Sequence, residues 1–272
     1  MTTALPPGAF AAMGTVVSVR PGTPSVGAEP DAAASASHDD RAAVDMVVEV
    51  FDRWERRFSL FDPRSELSRV ASGELLLPEA SAELRDAYAL ALAWRDRTDG
   101  SFTPHRPDGV IDLDGIVKAL AVADAGAALD RAGRVGWAID AGGDILIAEA
   151  DPARHAAAAA PVRVGIADPS DRGLILAGHE LDGARRRAVA TSGSAERGDH
   201  IWTLAGLART PFVQVSVAAG DLVTADVLAT AIVAGGHAAL DDLAERFDVD
   251  VLAVGHDGEL RATPDWPRAV RR

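Results

Sequence analysis

The sequence has no cysteine among its 272 residues. That absence excludes disulfides, thiolate metal sites and cysteine nucleophiles, and it is compatible with a cytoplasmic location. The first 20 residues lack a basic start and a long apolar run, and two prolines interrupt them, so we expect neither a secretory signal nor a lipid anchor. No uninterrupted apolar run is long enough to span a bilayer. We therefore expect a cytoplasmic protein without stable membrane association.

Positive charge is also scarce relative to negative charge. The net charge is -14 and the pI is about 4.8. An acidic surface repels nucleic acid and anionic lipid, which excludes nucleic acid as a partner, but it is compatible with metal cations. A phosphate-binding site would have to be built locally from backbone N–H groups and a few cations. The 48% hydrophobic content is enough for a sizeable core.

Helical and strand patterns are mixed along the chain rather than regularly alternating, which favours an α+β fold. Amphipathic spacing predicts helices within residues 41–61 and 77–100, and Ser65 is predicted to cap another helix start. A short strand, a glycine turn and a helix are predicted in 109–133, and a hairpin in 135–150. Further strands are predicted in 162–169, 174–183, 212–220 and 249–263, and another begins at residue 187 and ends in a turn at Thr191–Gly193. We expect one domain over 1–272, with flexible inserts at 21–41 and 151–161.

The stretch TADVLATAIVAGG, residues 224–236, is the most unusual one. It has the composition of a buried helix, yet it carries Asp226 and Thr230 four residues apart, hence on one helical face. Carboxylate and hydroxyl oxygens suit Mg²⁺, which takes few protein ligands. The alternative is a carboxylate that interacts with the helix dipole and a threonine bonded to its own backbone.

Other stretches offer groups for phosphate or metal. The turns DAGGD and ATSGS expose N–H groups beside strand ends, although an ordinary hairpin would look the same. Lys118 in DLDGIVKAL suits a phosphate as a point charge, and Asp112 and Asp114 suit a hard cation; a solvated lysine is the alternative. His200 suits acid–base chemistry or ring stacking, or a structural role. No zinc motif is present in the sequence.

Seven motifs in one order resemble the ApbE-type family of FAD:protein FMN transferases. They are AFAAMGTVVSVR, FSLFDPRSELSRV, TDGSFTP, VIDLDGIVKALAVADA, AIDAGGDI, VATSGSAERGDHI and VSVAAGDLVTADVLATAIVAGG. The resemblance implies an α+β, ApbE-like (T-fold-related) fold of mixed sheets with packed helices. It also implies that magnesium and FAD are used, that FMN is moved onto a Thr or Ser hydroxyl of a target flavoprotein, and that AMP is released. Some members instead hydrolyse FAD to FMN and AMP.

The same resemblance assigns site residues. Asp226 and Thr230 match the family's metal-binding pair, and the backbone at Gly115 or Asp114 is the nearest match to a third ligand. Asp226, His200 and Lys118 are predicted to be catalytic. The predicted cofactor-binding residues are Met13, Gly14, Thr15, Phe61, Glu66, Asp112, Lys118, Gly142, Gly143, Asp144, Thr191, Ser192, Gly193 and His200.

The sequence departs from the family pattern in four places. Phe61 replaces an aromatic hydroxyl, SFTPH replaces TFDPT-like residues, Asp114 and Ala119 replace glycines of the DLGGIAKG motif, and HIWTLAGLART replaces HIIDPRTG. The additional carboxylate would repel phosphate unless a metal or Lys118 compensates. Three functions therefore stay open: an FMN transferase, a metal-dependent FAD pyrophosphatase, or an FAD-binding protein that has lost catalysis.

Overall fold

The structure, a computed structural model, describes residues 5–24, 32–150, 161–193 and 210–266. Helices in these ranges are Ala32–Phe58 (α1), Glu66–Ala71 (α2), Ala82–Arg97 (α3), Asp114–Arg131 (α4) and Leu222–Arg246 (α5). The first six strands are Ala9–Ala12 (β1), Thr15–Arg20 (β2), Thr23–Pro24 (β3), Arg134–Val135 (β4), Ala138–Ala141 (β5) and Asp144–Ile147 (β6). They are followed by Val162–Ala167 (β7), Ile175–Leu181 (β8), Ala188–Gly193 (β9), Phe212–Ala219 (β10), Asp250–Gly255 (β11) and Leu260–Ala262 (β12).

Eight strands form one large sheet in the order β1-β2-β5-β6-β9-β10-β11-β12, with antiparallel pairing between neighbours. Strands β3 and β4 form a small separate pair, and β7 and β8 form another. Sequence neighbours make hairpins within the sheet, and helices lie between groups of strands in the chain. The predicted α+β class is confirmed.

The two faces of the large sheet are covered by different elements. The main core contains buried apolar residues of α1, α4 and α5, and α4 packs against both of the other helices. A smaller apolar cluster joins the β7–β8 hairpin and Trp266 to buried residues of β6, β9, β10 and β11. The site described below lies where α4 and α5 meet β6, β9 and β10.

A buried charge network also holds the β7–β8 hairpin to the sheet. Arg186 donates to both oxygens of Asp250 at 2.8 Å, and the Nε2 of His179 lies 2.9 Å from Oδ2 of the same carboxylate. All three side chains are buried. Removing one partner would leave charge buried without compensation, so the network fixes β8 against β11.

Helix α5 begins at an Asp221 cap, whose side chain accepts a hydrogen bond from the Thr224 N–H at 2.8 Å. Gly236 interrupts it with the non-helical φ 67° and ψ −147°, which kinks the helix at this point. Among the described helices, α5 alone is long and apolar enough to cross a membrane, but 67% of its most apolar window is buried inside the fold. Core helices pass the same test of length and composition.

Three local predictions were wrong. Helix α1 begins at Ala32, inside the predicted flexible insert 21–41, because the alanine-rich stretch before residue 41 has high helix propensity. Thr191–Gly193 belong to β9 instead of forming a turn, because each pairs with a residue of β10. The strand predicted before α4 is only an isolated bridge between His105 and Ile111. The predicted insert at 151–161 lies outside the described residues except for its last position.

Candidate functional site

Two hydroxyl pairs mark the centre of the site. On β9, Thr191 pairs with Ser216 of β10, and their hydroxyl oxygens lie 2.8 Å apart. The next residue, Ser192, points its hydroxyl toward α5, where the Thr230 hydroxyl lies 3.0 Å away. Alternation along the strand explains why these neighbours reach different partners. The end of β9 is therefore tied to both β10 and α5.

Asp226 lies one helical turn before Thr230 on α5, as the spacing predicted, and only 5% of it is exposed. The two residues stand in the second and third turns of the helix, not in its first turn. No cluster of three or more His, Asp or Glu side chains suited to a metal occurs among the described residues. A cation at Asp226 would thus have one carboxylate and neutral oxygens such as the Thr230 hydroxyl. That donor set fits Mg²⁺, which completes its coordination with water and phosphate oxygens.

A buried ion pair lies beside these hydroxyls. The Nζ of Lys118 on α4 is 2.5 Å from Oδ2 of Asp144, the first residue of β6. The other oxygen, Oδ1, accepts a hydrogen bond from the Thr191 N–H at 3.1 Å. One carboxylate therefore joins α4, β6 and β9. The side chain of Lys118 is 13% exposed, so a small part of it reaches the surface.

The beginning of α4 is ordered by local contacts. The side chain of Asp112 accepts a hydrogen bond from the Asp114 N–H at 2.9 Å, which forms an Asx turn just before the helix, whose N-cap is Leu113. Gly115 packs against Phe102: a Cβ added there would lie 3.0 Å from the ring. Asp112, which was predicted to bind the cofactor, therefore already has a hydrogen-bond partner within the protein.

The predicted adenosine-side motif lies against the glycine turn of the β5–β6 hairpin. Met13 and Gly14 have positive φ values of 49° and 72° and form the tight β1–β2 turn. Thr15 packs so closely on Gly142 that a Cβ added to Gly142 would lie 2.2 Å from its hydroxyl oxygen. Gly143, with φ 94°, follows and leads directly into Asp144. The structure thus brings the MGT and GGD motifs together.

The helix α1 joins this turn to the loop that carries Phe61. The Met13 N–H lies 3.3 Å from Oε2 of Glu55, in the last turn of α1. The chain then forms a compact turn in which the Ser59 hydroxyl accepts hydrogen bonds from the N–H groups of Phe61 and Asp62. Phe61 is 89% exposed and borders a surface cleft of 460 Å³. An exposed ring on an ordered loop is available to stack on a planar ligand.

Glu66 follows on α2, and its carboxylate is occupied within the protein. It accepts hydrogen bonds from the N–H and hydroxyl of Ser81, which caps α3, and lies 3.3 Å from Arg57. Partial burial raises the pKa of Glu66, but the Ser81 hydrogen bonds and the Arg57 charge outweigh it, so the pKa lies below its ordinary value. Glu66 therefore connects α1, α2 and α3, and its predicted role in cofactor binding stays a prediction.

The structure thus brings most predicted site residues into one chain of contacts. Lys118, Asp144 and Thr191 are directly linked, and Ser192 links to Thr230. His200 lies outside the described residues. Sequence reasoning missed Ser216, which is fully buried, and Glu55. The hydroxyl within the apolar strand FVQVSVAA was the only signal for Ser216.

Comparison with known proteins agrees with this arrangement. The fold and the site define an α+β protein with oxygen donors and one lysine gathered at the ends of central strands. The model of the ApbE family matches residues 103–253, more than half of the chain. The chain belongs to the ApbE family. Lys118, Asp144, Thr191, Asp226 and Thr230 all lie within the matched range.

Solved structures extend the likeness in fold over nearly the whole chain. The ApbE protein from Thermotoga maritima is 20% identical, with a TM-score of 0.68 over 94% of this chain and 96% of that one. Flavin transferase ApbE from Vibrio cholerae is 18% identical, with a TM-score of 0.68 and coverages of 94% and 95%. The apo form of Pseudomonas stutzeri flavinyl transferase ApbE is 18% identical, with a TM-score of 0.70 and coverages of 94% and 92%. No curated protein matches the chain.

Proposed function

We propose that this chain transfers FMN from FAD to a threonine or serine hydroxyl of a target flavoprotein and releases AMP. Membership of the ApbE family supports the proposal, as do similar folds whose names describe flavin transferases. The observation that carries it is the set of contacts around Thr191 and Ser192. Through these neighbours, a lysine and a hydroxyl-bearing helix face meet at one strand end.

The proposed reaction exchanges one phosphate ester for another. The acceptor hydroxyl oxygen bonds to the phosphorus on the FMN side of the pyrophosphate. The bond from that phosphorus to the bridging oxygen breaks, AMP leaves with that oxygen, and the hydroxyl proton is released. Because negative charge accumulates on phosphate oxygens, the site must supply positive charge and positioned N–H groups.

Individual residues of the chain are proposed to bind the phosphates, the metal and the flavin. Lys118 is proposed to neutralise phosphate oxygens, whereas the N–H groups of Gly142 and Gly143 already donate within the protein, to the Val16 carbonyl and to Oδ1 of Asp140. Asp226, Thr230 and the backbone at Gly115 would hold Mg²⁺, which supplies further charge neutralisation at the pyrophosphate when bound. Phe61 is proposed to stack on the flavin, a role that its 89% exposure supports. A cytoplasmic location is proposed on the composition of the chain.

The test is chromatography of AMP and FMN after incubation of the purified protein with FAD and Mg²⁺. A flavoprotein acceptor that carries a candidate threonine is added to half of the samples. Transfer predicts AMP release with FMN bound covalently to the acceptor. A matched acceptor in which that threonine is replaced by valine should receive no FMN, since it lacks the attacking hydroxyl.

Two other outcomes would replace the proposal. AMP together with free FMN, whatever the acceptor, would mean that water is the nucleophile and that the chain is an FAD pyrophosphatase. FAD retained on the protein without any AMP, across several acceptors and with Mn²⁺ as well as Mg²⁺, would mean a binding protein without catalysis. Chelation of the metal by EDTA should stop AMP release if the metal assignment is right.

A further inference from the structure

Lys118 is the only lysine among the 27 lysine and arginine residues of the chain. Apart from the contact of His179 with Asp250, the other ion pairs within the described residues are made by arginine, as in the exposed pair of Arg163 with Glu180. Arginine carries a broad planar fork, whereas the ammonium of lysine is a compact point charge with three donors. A chain that uses arginine everywhere else and lysine at one partly buried position has a specific use for a compact cation there.

The partner of this lysine is less exposed than the lysine itself. The Asp144 side chain is 1% exposed, against 13% for that of Lys118. One carboxylate oxygen lies against the ammonium and the other accepts the Thr191 N–H. The Asp144 side chain therefore has almost no exposed surface that a ligand could contact, whereas a small part of the Lys118 side chain is exposed.

The course of the strands explains why the carboxylate is needed. Strand β6 pairs with β9 at Ile145 with Val189 and at Leu146 with Ala188, and Asp144 is its first residue. The chain before it turns away at Gly142 and Gly143, so no further β6–β9 pair is formed. The Asp144 side chain accepts the Thr191 N–H beyond this point and thereby fixes Lys118 relative to β9.

We infer that Asp144 is a positioning residue that holds the ammonium of Lys118 beside Thr191, and not a residue that contacts the cofactor. The sequence had placed Asp144 among the cofactor-binding residues. The inference rests on the proposed function only for the identity of the ligand that Lys118 meets, the pyrophosphate of FAD. The position of Lys118 itself can be tested without any turnover.

The first experiment uses the single lysine as a probe. Protein labelled with ¹³C and ¹⁵N in lysine, and free of lysine-bearing tags, has a single labelled ε-methylene group, whose one carbon and two protons are observed by NMR. In the wild type we expect two distinct chemical shifts for the two ε protons, because the ammonium is held in one place. Asp144→Asn should collapse them toward one averaged shift, because the neutral amide no longer attracts the ammonium. Asp130→Asn is the matched control, since Asp130 lies on the same helix as Lys118 and accepts a hydrogen bond from the Trp137 indole at 2.7 Å.

Unchanged ε-proton shifts in Asp144→Asn would overturn the inference. If that variant does not fold, Asp144→Glu keeps the charge and moves the carboxylate by one methylene. Its Lys118 shifts should then differ from those of the wild type while Asp130→Asn retains them. Identical shifts in the glutamate variant would equally contradict a positioning role.

The second experiment separates an effect through Lys118 from an independent one. AMP release is measured for Asp144→Asn, Lys118→Met and the double variant. Loss of an orienting partner is expected to lower turnover by about 10- to 100-fold. The double variant should be no slower than Lys118→Met, because Asp144 then has no lysine to position. If the fold-losses of the two single variants multiply in the double variant, Asp144 acts on the ligand itself. If the wild type releases no AMP, the proposed function fails, and the NMR result still decides the inference.

Discussion

The hydroxyl oxygens of Ser192 and Thr230 lie 3.0 Å apart and join the end of β9 to α5. The contact connects two motifs that are 38 residues apart in the chain. It also places a second hydroxyl beside Thr230, the proposed metal ligand. Disturbing either side chain should therefore affect both the packing of α5 and the affinity for the cation.

Thr230→Val tests this contact with an almost unchanged shape. The variant loses the hydroxyl, so we expect the free energy of unfolding to fall by about 1 kcal/mol, the usual net worth of a hydrogen bond. The Mg²⁺ concentration for half-maximal AMP release should rise, because a neutral oxygen ligand is lost. Chemical denaturation and a Mg²⁺ titration measure the two effects. Thr230→Ser is the control, since it retains the hydroxyl. If the serine variant needs as much Mg²⁺ for half-maximal AMP release as the valine variant does, the ligand role of Thr230 is refuted.

Asp226→Ala should abolish metal-dependent AMP release, because the one carboxylate of the proposed cation site is removed. We expect a loss of at least about 100-fold in turnover, as for other groups that stabilise charge in a transition state. Asp242→Ala is the control on the same helix: its carboxylate is exposed and pairs with Arg246. Turnover of Asp226→Ala equal to that of the wild type would show that the metal assignment is wrong.

Gly142→Ala should destabilise the contact between the MGT and GGD motifs. The new Cβ would lie 2.2 Å from the Thr15 hydroxyl oxygen, at a backbone φ of 68°. We expect a loss of about 2–4 kcal/mol from backbone strain and overpacking together. Gly143→Ala, where no atom lies within 4 Å, should lose only about 1–2 kcal/mol for its positive φ. Thr15→Ala should recover part of the loss in Gly142→Ala; a strictly additive double variant would contradict the clash. Thermal unfolding of all four variants decides between the two results.

The charge network at Asp250 should make stability depend on pH in acid. Burial raises the pKa of Asp250, but hydrogen bonds from Arg186 and His179 outweigh it, so the pKa lies below its ordinary 3.8. Hydrogen bonds from Arg185 and Arg186 lower the pKa of Asp248 to about 2. Since both folded-state pKa values are depressed, their contribution is complete above about pH 4 and is lost as the pH falls toward 2 and below.

Asp250→Asn checks this dependence by thermal unfolding as a function of pH. At neutral pH the variant should lose about 3 kcal/mol, because the buried Arg186 loses its main counter-ion. Below pH 4 its midpoint temperature should fall less steeply than that of the wild type, because one titrating group has been removed. Parallel curves for the two proteins would exclude Asp250 as a source of the acid sensitivity.

Much of the local structure follows from nearby residues. Ser65 was predicted to cap a helix start, and its hydroxyl accepts a hydrogen bond from the N–H three residues later, as that of Ser81 does at the start of α3. The hairpin of β5 and β6 was predicted from its glycine pair, and the helical position of Asp226 and Thr230 from their spacing. Caps and turns are satisfied within a few residues, so a sequence window contains all that determines them.

The site contacts were not accessible in the same way. Lys118 was predicted to face phosphates, but nothing in DLDGIVKAL indicates that its partner is a buried carboxylate 26 residues later. Thr191 to Gly193 has the composition of a turn, and only pairing with β10 makes it a strand. These contacts depend on which strands become neighbours and in which register, and no local pattern specifies that.

The sequence by itself determined the α+β class, the family motifs, the helix caps and the residue types available for phosphate and metal. These features depend on side-chain identity and on short spacings, both of which can be read from the sequence without knowledge of the fold. The tertiary structure alone decided that Asp144 is buried between Lys118 and Thr191, and that Ser192 meets Thr230. The physical reason is that a buried carboxylate or hydroxyl must find its partner across the packed elements, and packing brings together groups that are distant in the chain.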